Sequence, residues 1–240
     1  LVFRNDSSAN PTLTRLNRSS KNAAVRIQAL ACLSHLGGLN ESVLLDALRD
    51  AAPEVRCHAI RLSERFHPNS RIEKQLASMA EDTNSHVSYQ LALSLGYRED
   101  GEAGKALGKI ATRANDPWLR AAVLSSSSHH ASTILAGLAR SNSRIENNTE
   151  LAGQLLGLVA ADDPDSLGDR LDSLLPPLDD IRESDWKLLT TFQDSIDRNR
   201  VRLTALPNQT ISRRVSQIHH RALPAASLQS NPLSLRRAAI

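Results

Sequence analysis

The chain has 240 residues, is 3% aromatic and carries a formal net charge of +3, which is length enough for one large domain or a run of stacked units. So few aromatics beside abundant Leu, Ala and Ser argue against a β-sandwich and for helices packed through small and aliphatic side chains. The longest apolar run, LLGLVAA at 155–161, is far short of the ~20 residues a membrane-spanning helix needs, so a segment without a membrane span is expected.

The dominant pattern is self-similarity. In chain order, AAVRIQALACLSHLG begins at Ala23, PEVRCHAIRLSERF at Pro53, SHVSYQLALSLG at Ser85 and PWLRAAVLSSSS at Pro117. Their anchors Val25, Val55, Val87 and Leu119 lie 30, 32 and 32 residues apart, the period of one helical hairpin per repeat. The first segment has an apolar stripe at Val25, Ala29, Leu33 and Leu36, and ESVLLDALRDA from Glu41 supplies its return helix. The second has Val55, Ala59, Leu62 and Phe66, followed by RIEKQLASMAED from Arg71. Val87, Leu91 and Leu95 mark the third, followed by GKALGKIATRA from Gly104. In the fourth, Asp116 is placed to cap a helix that Pro117 opens, Trp118, Leu119 and Val123 are expected to pack it, and ASTILAGLARS from Ala131 returns. An amphipathic unit of this kind buries its apolar face only by stacking on its neighbours. The expected fold class is all-α, an α-solenoid of helical hairpin repeats.

An arginine follows the anchor in three repeats, as Arg26, Arg56 and Arg120, and Ser88 takes that place in the third. The expected role of these arginines is structural, with the guanidinium pairing to acids or carbonyls while the stem packs on the helix. Cys32 and Cys57, the two cysteines, fall within predicted helices and are read as buried free thiols. The stretch SSSSHH at 125–130 has residue types used in hydrolysis but no surrounding motif for a base or an oxyanion site. Its serines are expected to let helices approach, with hydroxyls bonded back to carbonyls. His129 with His130, and His219 with His220, are adjacent pairs whose side chains diverge on a helix, and they read as solvated turn histidines rather than metal ligands.

Beyond residue 150 the repeats diverge. Helices are expected in TELAGQLLGLVAADD from Thr149, in SLGDRLDSLLPPL, and in ESDWKLLTTFQDSIDR. The domain organisation is accordingly read as 1–150, about four repeats, and 151–240, further divergent helical repeats. Residues 151–185 hold nine acids and two bases, and 186–240 nine bases and two acids. Mutual neutralisation of these segments is expected, and nucleic acid is disfavoured as a partner because the bases are scattered and aromatics for stacking are nearly absent. The opening Leu1 and the closing NPLSLRRAAI, which looks like another repeat start, suggest a piece of a longer protein.

The period and the VRxxA pattern resemble HEAT-type repeats. The series VRIQALACLSHLGGL, ALRDAAPEVRCHAIRLSE, VSYQLALSLG and DPWLRAAVLSS is similar, over about residues 20–140, to the HEAT-like section of large planctomycete-type membrane-bound dehydrogenase and haem-binding proteins. The resemblance implies a sugar-dehydrogenase-like propeller before the repeats, a c-type cytochrome domain with a CxxCH haem site after them, and an extracytoplasmic, periplasmic location. It implies no cofactor in this segment, and haem c only in a flanking domain; Cys57-His58 lacks the first cysteine of the haem motif, since Glu54 stands there. The expected function is a non-catalytic scaffold or docking segment whose partners are proteins or neighbouring domains of the same chain. The alternatives are a stand-alone interaction module, a HEAT-like lyase similar to the bilin lyases, and a binder of an acidic partner through the basic end.

Overall fold

The computed structural model describes residues 6–141, 148–175 and 182–201. Among the described residues the regular elements are helical: α1 (Asn10–Ser19), α2 (Ala23–His35), α3 (Glu41–Leu48), α4 (Pro53–Ser63), α5 (Ser70–Ser78), α6 (Ser85–Leu95), α7 (Gly101–Ala111), α8 (Pro117–Ser125), α9 (Ala131–Arg140), α10 (Thr149–Asp162), α11 (Leu167–Leu174) and α12 (Glu183–Arg198). The fold class is the expected one, all-α and built of helical-hairpin repeats. None of these helices is long and apolar enough to cross a membrane.

Helix starts follow the side chains that precede them. Asn22, Asn40, Asn69 and Asn84 accept backbone N–H groups in the first turns of α2, α3, α5 and α6, and Asp116 does the same for Leu119 in α8. Pro53 and Pro117 open α4 and α8, where the missing N–H leaves no bond unmade.

The chain divides into two compact units, Leu1–Ala106 and Leu107–Ile240. In the first unit α2, α4 and α6 lie side by side in one layer, and α1 and α3 pack against α2 and α4 from a second layer that α5 continues. The core between them is aliphatic: Leu30, Leu33, Leu44, Ile60, Ile72 and Leu91 are fully buried. At roughly 25 cal/mol per Å² of apolar surface removed from water, this burial is the main stabilising term. The stripe of α4 differs from the expected one. Ile60 and Ser63 are buried with Val55 and Ala59, so the helix turns Leu62 to the side of its inward stripe and leaves it half-buried; Phe66 is half-buried beyond the helix end, where Glu64–Phe66 tighten into a 3₁₀ turn.

In the second unit α10 is the central element, packed against α9, α11 and α12 and in contact with α8. Two glycines lie on its face toward α12. A Cβ on Gly153 would sit 2.9 Å from the Leu188 carbonyl oxygen, and one on Gly157 would overlap Ser195. Gly108 of α7 and Gly137 of α9 make a second crossing of this type. Glycines thus stand at the close helix approaches of this unit.

Candidate functional site: the guanidinium ladder and the outer face of the first helices

Two rungs of identical design join successive repeats. Arg26 donates from Nε to Asp50 Oδ2 and from Nη2 to Asp50 Oδ1, both at 2.7 Å, and from Nη1 to the Ser20 carbonyl. Arg56 donates to Asp82 Oδ2 at 2.8 Å and Oδ1 at 3.0 Å, and to the Asp50 and Ala51 carbonyls. Each acid also caps its own loop, since Asp50 Oδ1 accepts the Ala52 N–H and Asp82 Oδ1 the Asn84 N–H. Such forked pairs fix distance and angle together. Burial alone would raise the Asp50 carboxyl, but the Arg26 guanidinium, the Ala52 N–H and the charge of Arg56 together hold it below the ordinary carboxylate range. Its partner Arg26 is pushed further up, chiefly by the hydrogen bonds to Asp50.

The third repeat departs at both ends of the motif. Ser88 Oγ donates to the Asp82 carbonyl at 3.1 Å, which keeps the bond to the preceding loop that Arg56 makes one repeat earlier. In sequence register the next acid position is Ala114. Arg120 in the fourth repeat donates to the Asn115 carbonyl at 2.9 Å, and its buried Nε has no partner among the described residues.

A second polar cluster had no signal in the sequence. Arg98, in the turn after α6, is 2% exposed. It reaches Glu73 Oε1 at 3.4 Å, His67 Nδ1 at 3.3 Å and the Ser63 carbonyl at 3.2 Å. Glu73 Oε1 also accepts the Asn69 N–H and lies 3.1 Å from His67 Nδ1. Burial pulls the guanidinium below its ordinary value, and Glu73 is the foremost charge opposing that pull. Residues 25 to 35 positions apart are tied here, so no local spacing reveals the site.

The serine and histidine stretch is a helix end. Ser125 and Ser127 donate to the Ala122 and Leu124 carbonyls, as expected, but α8 stops at Ser125 and Ser126–Ser128 belong to the turn. Ser127 is fully buried with its hydroxyl committed, so it is not presented as a nucleophile. Two expectations need correction. His130 is buried beside the start of α9 while His129 is exposed. Trp118, expected to pack α8, is 74% exposed, because the helix turns Leu119, Ala122 and Val123 inward and position 118 falls outside that stripe.

The predicted signature residues lie as follows. Ala29, Val55, Ala59, Val87, Leu91, Leu119 and Val123 are buried. Val25 is half-buried, on the first helix of its layer among the described residues.

The side of α2, α4 and α6 turned from this core is not purely polar. Half-buried Ile27, Ala31, Cys57 and Leu93 lie there with Tyr89, which is 39% exposed. Arg61 donates to Gln90 Oε1 and Arg65 to Ser34 Oγ, each at 3.1 Å, linking neighbouring helices across the face.

Cys32 and Cys57 are free and half-buried rather than fully buried. Burial pushes the Cys57 thiol up, which lowers its thiolate fraction and its reactivity. Among the described residues no three His, Cys, Asp or Glu side chains converge as a metal site. His219, His220, the closing NPLSLRRAAI and most of the basic segment lie outside the described residues.

Residues 41–128 match the family model for HEAT repeats. Neither the curated proteins nor the solved structures contain a match to the chain. Residues 41–128 therefore form a HEAT-like repeat region, an architecture of helical-repeat scaffolds and protein-interaction modules.

Proposed function

We propose that this HEAT-like region works as a non-catalytic scaffold, a docking segment of a larger extracytoplasmic redox protein. The observation that carries the scaffold reading is the pair of identical rungs, Arg26–Asp50 and Arg56–Asp82, which hold successive hairpins in one register. A scaffold needs this, because its surface is useful to a partner only if the spacing between repeats is fixed. The serine and histidine stretch supports the same reading, since the Ser125 and Ser127 hydroxyls are engaged in ending a helix.

The redox half of the proposal rests on the sequence resemblance. In that setting the repeats hold an oxidising propeller and a haem domain apart at a set distance, outside the cytoplasm, with no cofactor of their own. Reading the parent gene on both sides tests it. A propeller-coding segment upstream and a CxxCH-coding one downstream are expected, and finding neither removes the redox assignment while leaving the scaffold.

The interaction half is tested by photocrosslinking in the producing cell. Photoreactive residues placed at Tyr89 and at Arg71, on opposite layers, are expected to give adducts with another protein or domain from at least one position. The absence of adducts from both contradicts the scaffold reading.

A further inference from the structure

Resting on that interaction reading, we propose that the outer face of α2, α4 and α6 docks an acidic amphipathic segment of a partner protein. The apolar side chains of that segment lie over Ile27, Ala31, Tyr89 and Leu93, and its carboxylates meet Arg61 and Arg65. The first argument is the distribution of side chains. The outward side of α5 is polar, with Arg71, Lys74 and Ser78 exposed, whereas α2 and α6 keep apolar residues on the side away from the core as well as toward it. A helix that is apolar around its circumference has a second surface to cover.

The second argument is charge. On the other layer, cations meet carboxylates across the hairpins, Arg18 with Asp46 at 2.9 Å and Arg71 with Glu41 at 2.6 Å. Arg61 and Arg65 instead donate to an amide oxygen and a hydroxyl, and among the described residues neither stands within salt-bridge distance of a carboxylate. A neutral acceptor orients a guanidinium without cancelling its charge; the nearby Glu64 carboxylate is half-buried and accepts the Ser94 hydroxyl, so the exposed charges here are two positioned cations beside an exposed tyrosine. Arginine and tyrosine are the side chains that most often anchor an interface, and complementary charge selects the partner. Glu54, at the start of α4, is exposed on the rim of the same face and sets one limit to the acidic segment.

Fluorescence anisotropy on the full chain tests the proposal. The probe is a labelled amphipathic peptide with leucines at helical spacing and glutamates elsewhere, measured beside its glutamine and lysine counterparts and a single-stranded oligonucleotide. The glutamate peptide is expected to bind, and the glutamine peptide about tenfold more weakly. Arg61→Glu with Arg65→Glu, and separately Tyr89→Ala, are expected to weaken the glutamate peptide by about tenfold or more, and Arg71→Glu to leave it unchanged. All these side chains are exposed, and circular dichroism confirms that each variant keeps its helix content. The proposal is overturned by no binding, by equal binding of the three peptides, by preference for the oligonucleotide, or by insensitivity to the Arg61, Arg65 and Tyr89 substitutions. In each of those cases crosslinks from either layer still stand for the scaffold, so the two failures are separable.

Discussion

Asp50 takes two 2.7 Å hydrogen bonds from Arg26 and, on the same Oδ1, the Ala52 N–H at 2.8 Å. One carboxylate therefore joins two repeats and shapes the loop between them. Because the folded state holds this carboxyl below its ordinary value, its stabilisation is present above the unfolded carboxylate pKa of about 3.9 and is lost as pH falls through the folded value. Asp50→Asn is expected to cost about 1–3 kcal/mol near neutral pH. Denaturation midpoints over a pH series check this: the gap between wild type and variant narrows in acid.

Arg98 predicts a larger effect. Removing the cation in Arg98→Met leaves Glu73 facing a buried site without its guanidinium partner, at an expected cost of about 3 kcal/mol. Glu73→Gln added to Arg98→Met is expected to recover part of that loss, because it removes a half-buried charge left with only His67 and the Asn69 N–H beside it. Urea unfolding of the single and double variants measures both.

The glycines of α10 act against their own helix propensity. Replacing glycine by alanine in an unhindered helix gains about 1 kcal/mol. At Gly153 the added Cβ meets the Leu188 carbonyl oxygen and the Phe192 nitrogen, both at 2.9 Å, so Gly153→Ala is expected to destabilise by about 1–3 kcal/mol. Gly101, whose Cβ would meet nothing within 4 Å, serves as the control, and Gly101→Ala is expected to be neutral or mildly stabilising. Thermal melts of the two variants should move in opposite directions or differ clearly in size.

The two tryptophans report on different environments. Trp118 is 74% and Trp186 6% exposed. Acrylamide quenching of wild type is expected to reveal an accessible and a protected fraction, and Trp118→Phe to remove the accessible one.

Much of this fold was legible from period and caps. The four anchors, the Asp116 cap and the paired prolines, with the amphipathic returns between them, mark eight helices near their observed starts, because local hydrogen bonding and apolar spacing decide those starts. Helix α1 was missed. It lacks the anchor–arginine pair and buries only Leu13 and Asn17, so its membership depends on packing against α2 rather than on its own pattern. The arginines were legible as structural residues, but their partners Asp50 and Asp82 lie 24 and 26 positions on. Which acid answers which arginine is set by the stacking. The same applies to Arg98, whose burial and three acceptors come from segments that only the fold brings together. Trp118 misled because a large aromatic beside a buried leucine suggests a core position, while helical rotation places it outside.

The central claim is that forked guanidinium–carboxylate pairs couple one repeat to the next, and a double-mutant cycle on Arg56 and Asp82 tests it most directly. Unfolding free energies of Arg56→Ala, Asp82→Ala and the double variant are expected to give a coupling of about 1–2 kcal/mol, matched by a similar cycle on Arg26 and Asp50. Additive effects in both cycles, with no coupling beyond experimental error, would contradict the ladder as the device that holds the repeats in register.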